Sequence, residues 1–271
     1  MNNNAIIAVI LAVVGAIVYL FLNVVIRRMV AGVRSREDYD EDVDGKMTEA
    51  EKKAFEETKA IETEKKNISF NEVRQEYGIR FYITVVLGVI LGALTGLFFG
   101  FTPEMIINFI FFGVLVVIAF IDMDTMEIPP VLNFIILGLG IISFILDIAG
   151  VQDSGLSIID RLIGAVCISG FLLIVTLLVS GAFGGGDIKL MFAAGFLLGW
   201  KGILTAFLIG LFVGAAIGIV LIARRKKGGK EHMPFGPSLC VGLIITAFIG
   251  QQVVDWYLNL VKSMMPNTYG R

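Results

Sequence analysis

Two aspartates offer this sequence its chemistry. Asp122 lies in Phe120-Ile121-Asp122-Met123-Asp124-Thr125-Met126-Glu127-Ile128-Pro129-Pro130, and Asp187 in Gly184-Gly185-Gly186-Asp187-Ile188-Lys189-Leu190. Each stands where a long apolar run gives way to polar residues. Two carboxylates about 3 Å apart cannot both ionise cheaply, so a facing pair holds one shared proton. The ionised member can take a proton from attacking water while the protonated member supports the oxyanion and then the leaving amine. Such a pair suits amide hydrolysis. It titrates jointly, so acid and base roles stay open at this point. The three glycines before Asp187 have no Cβ, which lets the backbone bend and another chain approach closely.

Other chemistries find little support. His232 is the single histidine, on the polar flank beside Arg224–Lys230, so no HExxH zinc site can be built. A Ser–His pair would need a serine brought to that flank, and no G-x-S-x-G elbow or P-loop occurs. Cys167 and Cys240 lie inside apolar segments without CxxC spacing and read as buried small residues, with no metal site. Asp147, Asp160 and Asp255 each sit near the end of an apolar segment and read as boundary residues.

The elements that must position the two acids are membrane helices. The chain is 56% hydrophobic and 17% charged, with mean hydropathy +0.85, too little charge for the surface of a water-soluble domain of this length. A bilayer core is roughly 30 Å thick, so an apolar run of about 20 residues spans it. Eight such segments run about 5–26, 81–101, 105–121, 131–149, 162–183, 188–200, 202–223 and 233–254, which makes the fold all-α and polytopic. The first segment is too long for a signal-peptide core and no small-residue cleavage pattern follows it, so it reads as an uncleaved helix. Segment 188–200 would rise only about 20 Å, which recesses Asp187 below the membrane surface. Irregular backbone at that depth must face protein or a water-filled cavity, and a carboxylate there is a functional candidate.

Residues 27–80 form the one sizeable polar segment, with 12 Lys/Arg and 14 Asp/Glu. Capping boxes at Thr48/Glu51 and Ser69/Glu72 mark helices in it, and Gly78 marks a stop. Its near balance of charge, with no basic stripe, argues against a nucleic-acid partner. With 27–80 in the cytoplasm and eight crossings, 18 of the 22 Lys/Arg fall on the cytoplasmic side, as the positive-inside bias requires. Both chain ends are then outside, and Asp122 and Asp187 share the cytoplasmic face. Gly88, Gly92 and Gly96, like Gly210, Gly214 and Gly218, recur every four residues and mark close helix packing.

Gly184-Gly185-Gly186-Asp187 resembles the GxGD motif of intramembrane aspartic proteases. Together with Ile121-Asp122 leading to Ile128-Pro129, and with Ile188-Lys189-Leu190 after the second acid, it resembles the type IV prepilin peptidases. Met233-Pro234-Phe235-Gly236-Pro237 looks like the family's PFGP element, and Phe21-Leu22-Asn23-Val24-Val25-Ile26 resembles its N-terminal FLNV element. The likeness spans about residues 15–250. It implies a GxGD-type architecture with Asp122 and Asp187 as the catalytic pair and Asp124 in support. Gly184, Gly185, Gly186, Lys189, Pro234 and Gly236 would be the surrounding substrate-binding or supporting residues.

By the same resemblance the substrates would be prepilins or pseudopilins. A short basic leader would be cut off after a glycine at the cytoplasmic face of the plasma membrane. The implied parts are a first transmembrane helix at 1–26, a cytoplasmic insert at 27–80, a transmembrane peptidase domain at 81–254 and a tail at 255–271. Many bacterial members also methylate the new amino terminus with S-adenosylmethionine and carry paired CxxC motifs after the first helix. Segment 27–80 has no cysteine, so that zinc-supported form is absent, and no cofactor is expected unless methylation is retained. A rival of another class is a cation-coupled transporter with its ion site at the two acids. The acids stand at helix ends rather than near the midplane, and the two halves show no hydropathy symmetry. A presenilin-like protease would need a YD-type first motif, which Ile121-Asp122 does not supply.

Overall fold

A computed structural model describes residues 3–42, 70–179, 183–224 and 234–264, and every element among them is helical. The chain divides into two compact units, Met1–Gly100 and Phe101–Arg271.

In the first unit, α1 (Asn3–Asp42) does not stop at residue 26 but continues through the charged residues that follow. Arg, Met, Ala and Glu among those residues favour helix, and no proline interrupts them. The short α2 (Phe70–Tyr77) ends at Gly78, whose φ of 48° suits glycine, and α3 (Ile79–Phe99) starts immediately after it. The four-residue glycine ladder of α3 lies against α1. A Cβ on Gly88 would meet the Gly15 carbonyl and the Tyr19 ring, one on Gly92 the Leu11 carbonyl, and one on Gly96 the Ala8 backbone. As α3 advances its partners recede along α1, so the pair is antiparallel. Asn23 and Thr84 add a buried 2.8 Å hydrogen bond to the seam.

The second unit holds α4 (Pro103–Thr125), α5 (Pro130–Ile148), α6 (Ile158–Leu178), α7 (Gly185–Arg224) and α8 (Gly236–Met264). Thr102 caps α4 by accepting from the Met105 N–H, with Pro103 at the first helical position, where its missing N–H costs nothing. α6 opens with a capping box between Ser157 and Asp160. Six described helices are long and apolar enough to cross a membrane, and α8 adds a shorter apolar stretch, Gly236–Gly250. Many of their large apolar side chains face outward, among them Phe134, Phe171 and Phe212, as lipid contact requires.

The sequence segments 188–200 and 202–223 appear as the two legs of α7, broken at Gly199, where φ is 70° and ψ 175°. The break reverses the chain. A straight helix would put residues 185 and 214 about 44 Å apart. Instead, Phe183 stacks on Phe235 with ring centroids 5.6 Å apart, and a Cβ on Gly214 would lie 3.0 Å from that same Phe235 ring. The second leg runs antiparallel to α8: Gly202 faces Thr246, Gly210 faces Ser238 and Leu239, and Gly214 faces Phe235. Gly218 has no neighbour within 4 Å of its Cβ position, so the second glycine ladder serves packing at two of its three steps.

Candidate active site

Asp122 stands in the last turn of α4. Met126 closes that helix in the left-handed conformation, φ 55°, with its N–H on the Asp122 carbonyl at 2.9 Å. The Asp122 side chain is 5% exposed, and its Oδ2 accepts the Gly236 N–H at 3.0 Å. That bond crosses 114 residues of sequence and ties the end of α4 to the start of α8. A Cβ on Gly236 would lie 2.6 Å from Asp122 Oδ2 and 2.8 Å from its Cγ, so any larger residue would displace the carboxylate. Farther along, Phe112 and Phe248 stack with centroids 4.8 Å apart, holding the α4–α8 pair in antiparallel register.

Asp187 occupies the third position of α7, directly after the glycines. It is 7% exposed, its Oδ2 lies on the side of the Gly184 backbone, and it stands within electrostatic reach of Asp122. Its Oδ1 has no hydrogen-bond partner among the described residues.

The three glycines are not equivalent. A Cβ on Gly186 would meet Ile128 Cβ at 2.8 Å, whereas Gly185 has nothing within 4 Å and Gly184 has only an ordinary contact with Asp187 Oδ2 at 3.5 Å. None of the three has positive φ. Close approach is thus needed at Gly186 alone, where the Ile128-Pro129 link presses on the turn, and the pronounced bend comes instead at Gly199. Asp124 is half-buried one turn-half from Asp122. Lys189 is exposed, and its spacing of two from Asp187 points it off the acid's face.

Pro234 is half-buried, and beside it Phe235 is clamped between Phe183 and Gly214. Cys240 is buried within electrostatic reach of both acids, whereas Cys167 is exposed on α6 rather than buried as expected. α6 has apolar residues all round, and a small side chain facing outward costs nothing in lipid. His232, Met233 and the side chain of Asp255 lie outside the described residues.

At the far end of α5 a second charged cluster differs in kind. Arg161 is 0% exposed; its Nη2 donates to Asp147 Oδ2 at 2.6 Å, Ser154 Oγ at 3.0 Å and Ser143 Oγ at 3.1 Å. Its Nη1 reaches the Phe196 and Leu197 carbonyls at 3.2 and 3.4 Å. Those carbonyls lie in the last turn before the Gly199 break, where helix acceptors lose their partners and a cation complements the helix dipole. Asp160 accepts the Trp200 indole N–H at 3.0 Å just past the break. Asp147 and Asp160 are therefore working parts of a clasp, not bare boundary residues. No group of three or more His, Cys, Asp or Glu placed to hold a metal occurs among the described residues.

The arrangement defines a polytopic helical membrane protein in which two buried aspartates from distant helix ends meet at one end of a five-helix unit. Residues 109–219, which include both acids, match the type IV leader peptidase family. Among curated proteins, the chain is 27% identical over 190 residues to the prepilin leader peptidase/N-methyltransferase of Legionella pneumophila, covering 68% of this chain and 63% of that protein. It is 29% identical to the protein of that name in Bacillus subtilis (63% and 66% covered) and 34% identical to the one in Aeromonas salmonicida (55% and 50%). The chain thus spans half to just under two thirds of the length of these relatives. No solved structure matches it significantly.

Proposed function

We propose that this chain is a membrane aspartic endopeptidase that removes the basic leader from prepilins or pseudopilins, with Asp122 and Asp187 activating water. The observation that carries the reading is that two buried aspartates come to the same end of the second unit, Asp122 tied to Gly236 and Asp187 following the Phe183 ring that packs on the neighbouring Phe235, with Asp187 Oδ1 unpaired. In this mechanism the ionised aspartate takes a proton from water as its oxygen bonds to the scissile carbonyl carbon. The protonated aspartate donates to the carbonyl oxygen, and the proton taken from water passes to the leaving amine as the C–N bond breaks. The excess of Lys/Arg around the same face supports a cytoplasmic active site. The transporter reading has less support, because both acids belong to helix termini.

The relatives' names also include N-methyltransferase. The zinc-binding cysteines that the family resemblance would require do not fit this chain. Its two cysteines are an exposed residue on α6 and a buried one on α8, and segment 27–80 has none. We derive no methylation step; S-adenosylmethionine enters only if methyl transfer is retained without that site.

Co-expression with a prepilin, followed by gel shift, tests the peptidase reading. Asp122→Ala and Asp187→Ala should each leave the leader attached, and normal processing by both would end it. Mass spectrometry of the mature terminus decides methylation, which unmethylated termini would exclude.

A further inference from the structure

Asn133, in the first turn of α5, is 5% exposed, yet neither its Oδ1 nor its Nδ2 has a hydrogen-bond partner among the described residues. Such an amide has two donors and two acceptor sites, and burying it unpaired is expensive. Other orphaned atoms of the second unit belong to residues with further partners or to a lone hydroxyl: Arg161 Nε, Gln152 Oε1 and Thr246 Oγ1. Among the buried side chains described, Asn133 alone leaves both a donor atom and an acceptor atom idle.

Its location is informative. α5 and the first leg of α7 run parallel, since Ile128 abuts Gly186 and Gly140 abuts Phe196 and Leu197. Asn133 is seven residues before Gly140 and so shares the helix face turned toward α7. The register puts it level with about residue 191, one turn or about 6 Å deeper than Asp187. Asp187 Oδ1, likewise without a partner among the described residues, lies one turn nearer the start of the same leg of α7.

We propose that Asn133 is a substrate-binding residue whose amide pairs with a peptide group of the extended substrate on the membrane side of the scissile bond. The proposal rests on the peptidase reading and adds to it the residue that holds the substrate backbone. A peptide unwound for cleavage presents one N–H and one C=O per residue that the bilayer interior leaves unpaired. A carboxamide offers the matching acceptor and donor to both. The basic leader stays at the polar end of the bundle, so a peptide group deeper than the two acids belongs to the mature part. At about 3.3 Å per residue, 6 Å corresponds to about the second residue past the cut.

The test uses the full chain in detergent with a prepilin peptide bearing a basic leader. Asn133→Leu should lower kcat/KM by about 10- to 100-fold, the worth of two hydrogen bonds. Its Tm should stay equal or rise, because no protein partner is lost. Wild-type kinetics in N133L would overturn the proposal, and so would a loss of activity accompanied by a lower Tm, which would mark a structural residue. Ester replacement of each of the first three mature-side peptide groups in turn should slow the wild type at one position and leave N133L insensitive there. If no position separates the two enzymes, the proposal fails. Asp187→Asn serves as the control for the underlying reading: cleavage by D187N at the wild-type rate would remove the peptidase function itself, whatever N133L does.

Discussion

The two ends of α5 place buried charge under opposite rules. At one end Arg161 engages an aspartate, two serines and two helix carbonyls, leaving only Nε unpaired. At the other, Asp122 accepts a single inter-helix backbone N–H, and Asp187 keeps one oxygen with no partner at all. A buried ion whose hydrogen bonds are met holds a fold together. One left short of partners stores unspent binding capacity, which is where chemistry is to be expected. The two ends are joined mechanically, because the first leg of α7 carries Asp187 in its first turn and finishes at the carbonyls that Arg161 caps.

The comparison breaks first, and most severely, at the clasp. Arg161→Met leaves Asp147 uncompensated and strips the end of the broken helix, so it should cost about 3–5 kcal/mol, read as a large drop in Tm of the detergent-solubilised chain. Next comes Gly236→Ala, which pushes on the Asp122 carboxylate from 2.6 Å. A misplacement of that size should lower kcat about 100-fold with a comparatively small change in Tm, separating the catalytic end from the structural one. Ser157→Ala removes half of the α6 capping box and should cost about 1 kcal/mol with kcat unchanged. The smallest effect sharpens the account of the glycines. Gly185→Ala, with open space around it, should stay within about 0.5 kcal/mol of wild type, while Gly186→Ala, pressed on Ile128, should lose activity in the same cleavage assay.

Much of the fold was legible because the membrane imposes a simple rule on sequence: apolar runs of spanning length become helices. Among the described residues each of the eight apolar segments falls mostly on a helix, and the glycine ladder at 88, 92 and 96 packs as its spacing implies. The helix ends at Asp122 and Asp187 were legible for the same reason, each acid marking where an apolar run stops. What periodicity could not reveal was three-dimensional pairing. Nothing local to Arg161 announces that it reaches across to Asp147, or that it caps a helix 35 residues away. The reversal at Gly199 is hidden inside a nearly continuous apolar stretch, where a single glycine has many possible meanings. The sequence also treated Gly184, Gly185 and Gly186 as one flexible unit, but the neighbouring Ile128 makes only the last of them tight. Nothing local sets Asn133 apart, because a polar residue near a helix start usually faces water, and only its burial makes it exceptional.

The most direct test of the central claim measures leader cleavage and Tm together for the purified full chain carrying Asp122→Asn or Asp187→Asn. Each substitution keeps shape and removes one ionisable carboxyl. The account predicts cleavage reduced by on the order of 10⁴-fold or more, with Tm held or raised, since neither side chain anchors a network like that of Arg161. Cleavage by either variant at the wild-type rate would contradict it.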